Sequence, residues 1–177
     1  MADQIILETE RLMLRKLTDA DLDALFRLYR DPIIREHFPE GVLDREETKA
    51  ELDWIIKVYY GEYGYGLWAT IYKPTGAFIG RCGLLPWVID ERQEVEVAYL
   101  LDRAYWGQGL ATEAAQAIVA YGFDVLNFER LICLPIPENA ASMRVAEKMG
   151  MHIEREIVLD GTPAMLYSIE KDSRREF

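Results

Sequence analysis

Three strand-like runs, 67–72, 77–88 and 94–101, follow one another too closely for any helix to cross between them. The first two are separated by Lys73-Pro74-Thr75-Gly76, whose proline presets one turn dihedral and whose glycine permits a left-handed one. A parallel connection needs a dozen or more residues, so these runs must pair as an antiparallel meander. The rest of the chain has to be arranged around that meander.

Ahead of it, residues 7–17 read as a strand with Leu12 and Leu14 on one face. Thr18 is placed to cap a helix over 19–30, its hydroxyl accepting a first-turn N–H. Asp44 and Glu47 make a capping-box-like start for a helix that runs to about Tyr59, before Gly61, Gly64 and Gly66 interrupt the chain. After the meander the period becomes helical. Ala111, Ala114, Ala115, Ile118, Val119 and Gly122 mark one face, small enough to approach a sheet closely. A strand at 131–134 is ended by Pro135 and Pro137. A helix over 139–149 with Gly150 just past its end, and a hairpin across Asp160-Gly161, complete the chain. The expected fold class is α+β, one domain over residues 1–177 with a mixed, mostly antiparallel central sheet flanked by helices.

With 177 residues, half of them hydrophobic, the chain can bury a core without disulfides or metal. Its net charge of −11 argues against a nucleic-acid partner, which needs a basic surface, and an acidic surface can draw in cationic amines. Cys82 and Cys133 sit in apolar runs, as buried thiols do, and neither they nor His37 and His152 have metal-ligand spacing, so no metal is expected. No signal-like N-terminus or membrane-length apolar run is visible, so the expectation is a cytoplasmic protein with no membrane partner.

Residues 99–114 carry the chemistry. A strand enters Trp106-Gly107-Gln108-Gly109, and that loop opens directly into the alanine-rich helix. First-turn N–H groups have no intrahelical partner and carry the positive end of the helix dipole, so they suit an anion such as phosphate. A side chain at Gly107 or Gly109 would hold that anion away. A dinucleotide fingerprint would need a third glycine where Thr112 stands, and a nucleotide-hydrolase loop would need a lysine that is absent here. A plain tight turn would also account for the glycines.

The stretch Trp106-Gly107-Gln108-Gly109-Leu110-Ala111-Thr112-Glu113-Ala114 resembles the acetyl-CoA pyrophosphate loop of the GNAT superfamily of N-acetyltransferases. Residues 139–150, from Asn139 to Gly150, resemble that family's second cofactor segment, and Glu8-Thr9-Glu10-Arg11-Leu12-Met13-Leu14-Arg15 is similar to the opening strand of its branch of ribosomal-protein N-terminal acetyltransferases. The resemblance implies a fold, a cosubstrate (acetyl-CoA) and site residues. Trp106, Gly107 and the amides of Gln108, Gly109, Leu110, Ala111 and Thr112 would hold the pyrophosphate. The backbone of Tyr99, Leu100 and Leu101 would pair with the pantetheine arm as an added strand. Asn139 would hydrogen-bond the same arm, although capping its own helix is an equal use of that residue.

Acetyl transfer to an amine needs a base for the amine's proton, a donor for the developing oxyanion and a proton for the departing thiolate. Glu94 and Glu96 alternate with Val95 and Val97, so both carboxylates face one side of the strand leading into the loop. Glu96 matches the acidic position that serves as base in several members of the family, with Glu94 as its neighbour and rival. Ala146 stands where many members carry a tyrosine acid, and Ser142 matches a branch serine given that role. A serine is a weak acid, so at most it relays a hydrogen bond to the sulfur. For the acceptor, Phe38, Trp54, Tyr65 and Trp68 are candidates for an aromatic site, and a groove between Phe38 and Tyr167 is the expected binding place for a peptide end. The acceptor amine implied by the resemblance is a protein N-terminus, with a small amine as the competing choice; a sensor that binds acyl-CoA without turnover is the rival from another class. A homodimer is left open.

Overall fold

The computed structural model describes residues 4–176. The chain begins with a hairpin, β1 (Ile5–Glu8) and β2 (Leu12–Lys16), where the sequence suggested one strand over 7–17. The break comes from Thr9, whose hydroxyl accepts from the Leu12 N–H at 2.9 Å while its own N–H donates to the Leu12 carbonyl at 2.8 Å. The helix after Thr18 also differs. Its first turn is 3-10, and Thr18 caps it in a reciprocal box with Asp21, whose carboxylate accepts from both the N–H and the hydroxyl of Thr18. The α-helix proper, α1, spans Leu22–Tyr29.

Helix α2 (Arg45–Trp54) starts with the reciprocal cap read from the sequence: Asp44 accepts from the Glu47 N–H, and Glu47 accepts from the Asp44 N–H, both at 2.8 Å. It continues through Gly61 as a π-helical segment, Ile55–Tyr63, four residues beyond the expected end, and stops at Gly64 with φ +76°. The meander follows as β3 (Leu67–Tyr72), β4 (Ala77–Ile89) and β5 (Arg92–Leu101), then α3 (Leu110–Asp124), β6 (Arg130–Cys133), α4 (Ala140–Lys148), β7 (His152–Leu159) and β8 (Thr162–Glu170).

All eight strands form one sheet in the order β1-β2-β3-β4-β5-β6-β8-β7. It is mixed and mostly antiparallel: β5 and β6 are the parallel pair, and a single rung, Glu96 opposite Ile132, joins them. On one face α3 packs Ala114, Ala115, Ile118, Val119 and Phe123 against Val97 and Leu101. Its alanines let the helix axis come close, and burying Phe123 alone contributes roughly 1.5–3 kcal/mol. On the other face α1 and α2 cover Leu67, Ala69, Ala98 and Leu100. Alternation along β5 therefore sends Val97 and Leu101 to the α3 side and Ala98 and Leu100 to the α1–α2 side. Among the described residues no helix is long and apolar enough to cross a membrane.

Candidate active site

Past its one rung with Glu96, β6 ends at Cys133, and Pro135 and Pro137 carry the chain away. Proline has no N–H to continue a ladder. β5 runs on to Leu101 without a partner on that side, so the sheet splays open. A cavity of about 940 Å³ fills the splay, reaching from the N-terminus of α3 through the sheet to the helices of the opposite face.

At one end of the cavity lie Trp106, Gly107, Gly109, Leu110, Ala111 and Thr112. Gly107 and Gly109 have φ of +73° and +77°, and Gly109 is the cap residue of α3. A Cβ at Gly107 would meet nothing within 4 Å, so these glycines are demanded by left-handed backbone rather than by crowding from the protein. Their bare surface borders the first-turn amides of α3, and Arg144 and Lys148 of α4 line the cavity as well. Gln108 lies outside the lining; its side chain donates to the Ala104 carbonyl at 3.2 Å. The loop is fastened from behind. Glu113 accepts from the Thr9 hydroxyl (2.5 Å), the Arg11 N–H (2.9 Å) and Arg11 Nε (2.7 Å), and Arg11 Nη1 donates to the Gln108 carbonyl at 3.0 Å. The opening hairpin thus fixes where the α3 N-terminus points.

The middle of the cavity is walled by Tyr99, Leu100 and Leu101 of β5, with Asn139 and Ser142 of α4 opposite. The Leu101 carbonyl is already engaged, accepting from the Trp106 indole N–H at 2.8 Å. Asn139 caps α4, its Oδ1 accepting from the Ser142 N–H at 3.0 Å. The Tyr99 hydroxyl lies 2.9 Å from the Ser142 carbonyl oxygen, to which it donates, and 2.9 Å from Ser142 Oγ. Burial pushes the Tyr99 phenol well above its ordinary range, so it keeps its proton and remains a donor. This side-chain pairing was not visible in the sequence, where Tyr99 counted only for its backbone. Cys133 also lines the cavity, and burial, reinforced by the nearby Glu96 charge, pushes its thiol up to about 12.

Glu96 stands at the splay itself, half-buried and lining the cavity. Burial raises its carboxyl to about 7, against the opposing pull of the Trp87 indole N–H, which donates to Oε2 at 2.7 Å. Glu94 shares the strand face but not the surroundings. Its two oxygens sit 3.2 and 3.1 Å from Arg130 Nε, and Arg130 also binds Glu154 and Glu170. This ionic cluster, buried at Glu94 and Arg130, ties β5 to β6 and lies away from the cavity lining, which removes Glu94 as the rival of Glu96. Tyr167 requires a second correction. It is 4% exposed within the core beneath α3 and α4, opposite Cys133 on β6, so no groove runs from it to Phe38. Phe38 does line the far end of the cavity, together with Trp54, Glu51, Arg35 and Arg81. Trp68, another aromatic candidate, is 1% exposed in the core.

The splay, the glycine-capped helix N-terminus and the carboxyl between them fit acetyl-CoA: amides for a diphosphate, an open strand edge for an extended arm, and a carboxyl where the arm would end. The comparisons with known proteins agree. Residues 11–152 match the acetyltransferase (GNAT) domain. The chain is 38% identical over 162 residues to the YkkB protein of Bacillus subtilis (strain 168), covering 91% of this chain and 93% of that one. A crystal structure of a GNAT-family acetyltransferase from Bacillus anthracis superposes with a TM-score of 0.81 at 26% identity, covering 96% of this chain and 99% of the other. RimL, described as a ribosomal L7/L12 α-N-protein acetyltransferase and solved with coenzyme A, shares the fold with a TM-score of 0.77 at 20% identity, covering 94% and 98%. The chain belongs to the GNAT family of acetyl-CoA-dependent N-acetyltransferases.

Proposed function

We propose that this enzyme transfers acetyl directly to a primary amine in a ternary complex, with Glu96 taking the amine's proton. The observation that carries this reading is the place of Glu96, at the point where β5 and β6 part and inside a cavity that also reaches the α3 N-terminus. Bound there, acetyl-CoA supplies the activated acyl group and its thiol leaving group. A carboxyl near 7 is half-ionised at neutral pH, which suits a base that must accept a proton and give it up each cycle. A backbone N–H on the edge of β5 that β6 leaves unpaired would polarise the thioester carbonyl. At the sulfur end, the paired hydroxyls of Ser142 and Tyr99 can relay a hydrogen bond to the departing thiolate once the Ser142 O–H turns from Tyr99 toward the sulfur, a task that Ala146 cannot perform.

Direct transfer is favoured over an acyl-cysteine intermediate because Cys133 retains its proton, and a thiol is a poor nucleophile. The acceptor suggested by the family branch is a protein N-terminus, with a small amine as the alternative. Thiol release from acetyl-CoA across a panel of peptides and small amines tests the reading. Stoichiometric thiol release with N-acetylated product supports it. Tight acetyl-CoA binding with no release for any amine would make the chain a sensor.

A further inference from the structure

The far end of the cavity contains two buried guanidinium groups, and the charge of one, Arg81, also favours the ionised form of the Glu96 carboxyl. Arg81 projects from β4 opposite Leu100, on the same sheet face as Glu96 four residues away. It is 4% exposed, Arg35 in the segment after α1 is 3% exposed, and both line the cavity. They share aromatic neighbours: Arg35 lies 4.3 Å from the Phe38 ring centroid and Arg81 5.6 Å, with Tyr29 at 4.9 and 5.7 Å respectively. Two cations side by side repel, and the Arg81 charge adds to burial in lowering Arg35.

The protein satisfies this pair only in part. Arg81 Nε donates to the Tyr29 hydroxyl at 2.8 Å, while its Nη1 and Nη2 have no hydrogen-bond acceptor among the described residues. Among the described residues the fully sealed orphan atoms are Trp68 Nε1 and Thr70 Oγ1, so both Arg81 nitrogens keep some accessible surface, and Arg81 lines the cavity. Arg35 gives Nε to the Gly41 carbonyl at 2.7 Å and Nη2 to Glu40 at 3.4 Å. Of the nearby carboxylates, Glu40 is largely exposed at the rim, and Glu51, whose charge favours both guanidinium groups, accepts from the Tyr29 hydroxyl at 2.5 Å; neither hydrogen-bonds Arg81. A buried guanidinium with vacant donors is costly unless something with acceptor oxygens meets it. Its planar fork of N–H groups matches a carboxylate better than any neutral group.

We propose that the acceptor is an amine that also carries a carboxylate or like anionic group, which Arg81 and Arg35 receive while the amine stands at Glu96. This rests on the acetyltransferase reading and narrows its acceptor. It runs against the net charge of −11, which favours the approach of cations. Selectivity would then be set inside the cavity, where the field is local and poorly screened, rather than by long-range attraction.

The test uses matched acceptors that differ only in charge: amino acids and ω-amino acids against their amides, and peptides with Asp or Glu after the first residue against Asn or Gln. Polyamines complete the panel. The expected result is kcat/KM at least about tenfold higher for the acidic member of the preferred pair, consistent with a bidentate arginine contact. Whether free amino acids or acidic peptides show that preference identifies the source of the anion. In Arg81→Gln the preference should fall to within about threefold, chiefly through KM for the acceptor, with KM for acetyl-CoA unchanged. Arg81→Lys should keep part of it. Should Arg81→Gln fail to fold, the wild-type ratios decide alone. Equal or faster transfer to amides and polyamines overturns the proposal and leaves the transferase standing. No thiol release with any amine removes both.

Discussion

Glu96→Gln replaces an ionisable group with a neutral one of the same shape, and it should stabilise the fold while slowing the chemistry. In the folded protein burial lifts the Glu96 carboxyl from the ordinary 4.5 to about 7, with the Trp87 indole N–H pulling the other way. Glutamine can still accept from that indole, although its one carbonyl oxygen must also serve the Leu134 N–H that the carboxylate accepts, which offsets part of the gain from removing the charge. Below 4.5 the carboxyl is protonated in folded and unfolded wild type alike. Between 4.5 and about 7 the unfolded chain has released a proton that the folded chain retains, so wild-type stability falls as pH rises, and the loss is complete above about 7. At 1.36 kcal/mol per pH unit, a rise from 4.5 to about 7 amounts to ~3 kcal/mol. That figure is an upper one, because a half-buried carboxyl keeps some contact with solvent. Urea unfolding of both proteins at pH 5 and pH 8.5 measures it. The variant should be more stable by ~1 kcal/mol at pH 5 and by 2–3 kcal/mol, approximately, at pH 8.5. A stability gap of the same size at both pH values would refute the buried-carboxyl reasoning. The same substitution should lower turnover by roughly 10²-fold or more.

Gly109→Glu should abolish CoA binding, because it puts bulk and negative charge at the α3 N-terminus and forces a side chain onto backbone with φ +77°; calorimetry on the folded variant checks this, and undiminished affinity would move the cosubstrate elsewhere. Glu94→Gln should cost roughly 1–3 kcal/mol in chemical denaturation by loosening the Arg130 cluster, yet leave turnover of the folded enzyme within about threefold. A catalytic loss as large as that of Glu96→Gln would reverse the assignment of the base. Tyr99→Phe and Ser142→Ala should each slow turnover and should not be additive when combined, since the two hydroxyls act as a pair; additive losses from a double-mutant cycle would separate them.

Much of the fold could be read from local rules. The Lys73-Pro74-Thr75-Gly76 turn fixed the meander, and β3 runs over the expected residues. The Asp44–Glu47 cap was legible because both partners lie within one turn of chain. Failures came where a distant contact decided the outcome. Thr9 broke the first strand through a side-chain hydrogen bond that also reaches Glu113, more than a hundred residues away. Glu94 and Glu96 have the same period and chemistry; only the single parallel rung and the Arg130 cluster tell them apart. Tyr167 obeyed the aromatic pattern expected of a binding site, but alternation along a strand does not say which face is core and which is cavity. Arg35 and Arg81 escaped notice because arginines are mostly exposed, and nothing adjacent in sequence marks these two as buried.

The central claim is that acetyl transfer takes place at the splay with Glu96 as base, and the pH dependence of kcat tests it most directly. With acetyl-CoA and acceptor both saturating, kcat should rise tenfold per pH unit on the acidic side and level off, at a point between about pH 5 and 9, where Glu96 in the ternary complex becomes ionised. Glu96→Gln should remove that inflection along with most of the rate. A wild-type kcat that is flat through this range, or a Glu96→Gln enzyme that keeps both its rate and the inflection, would contradict the account.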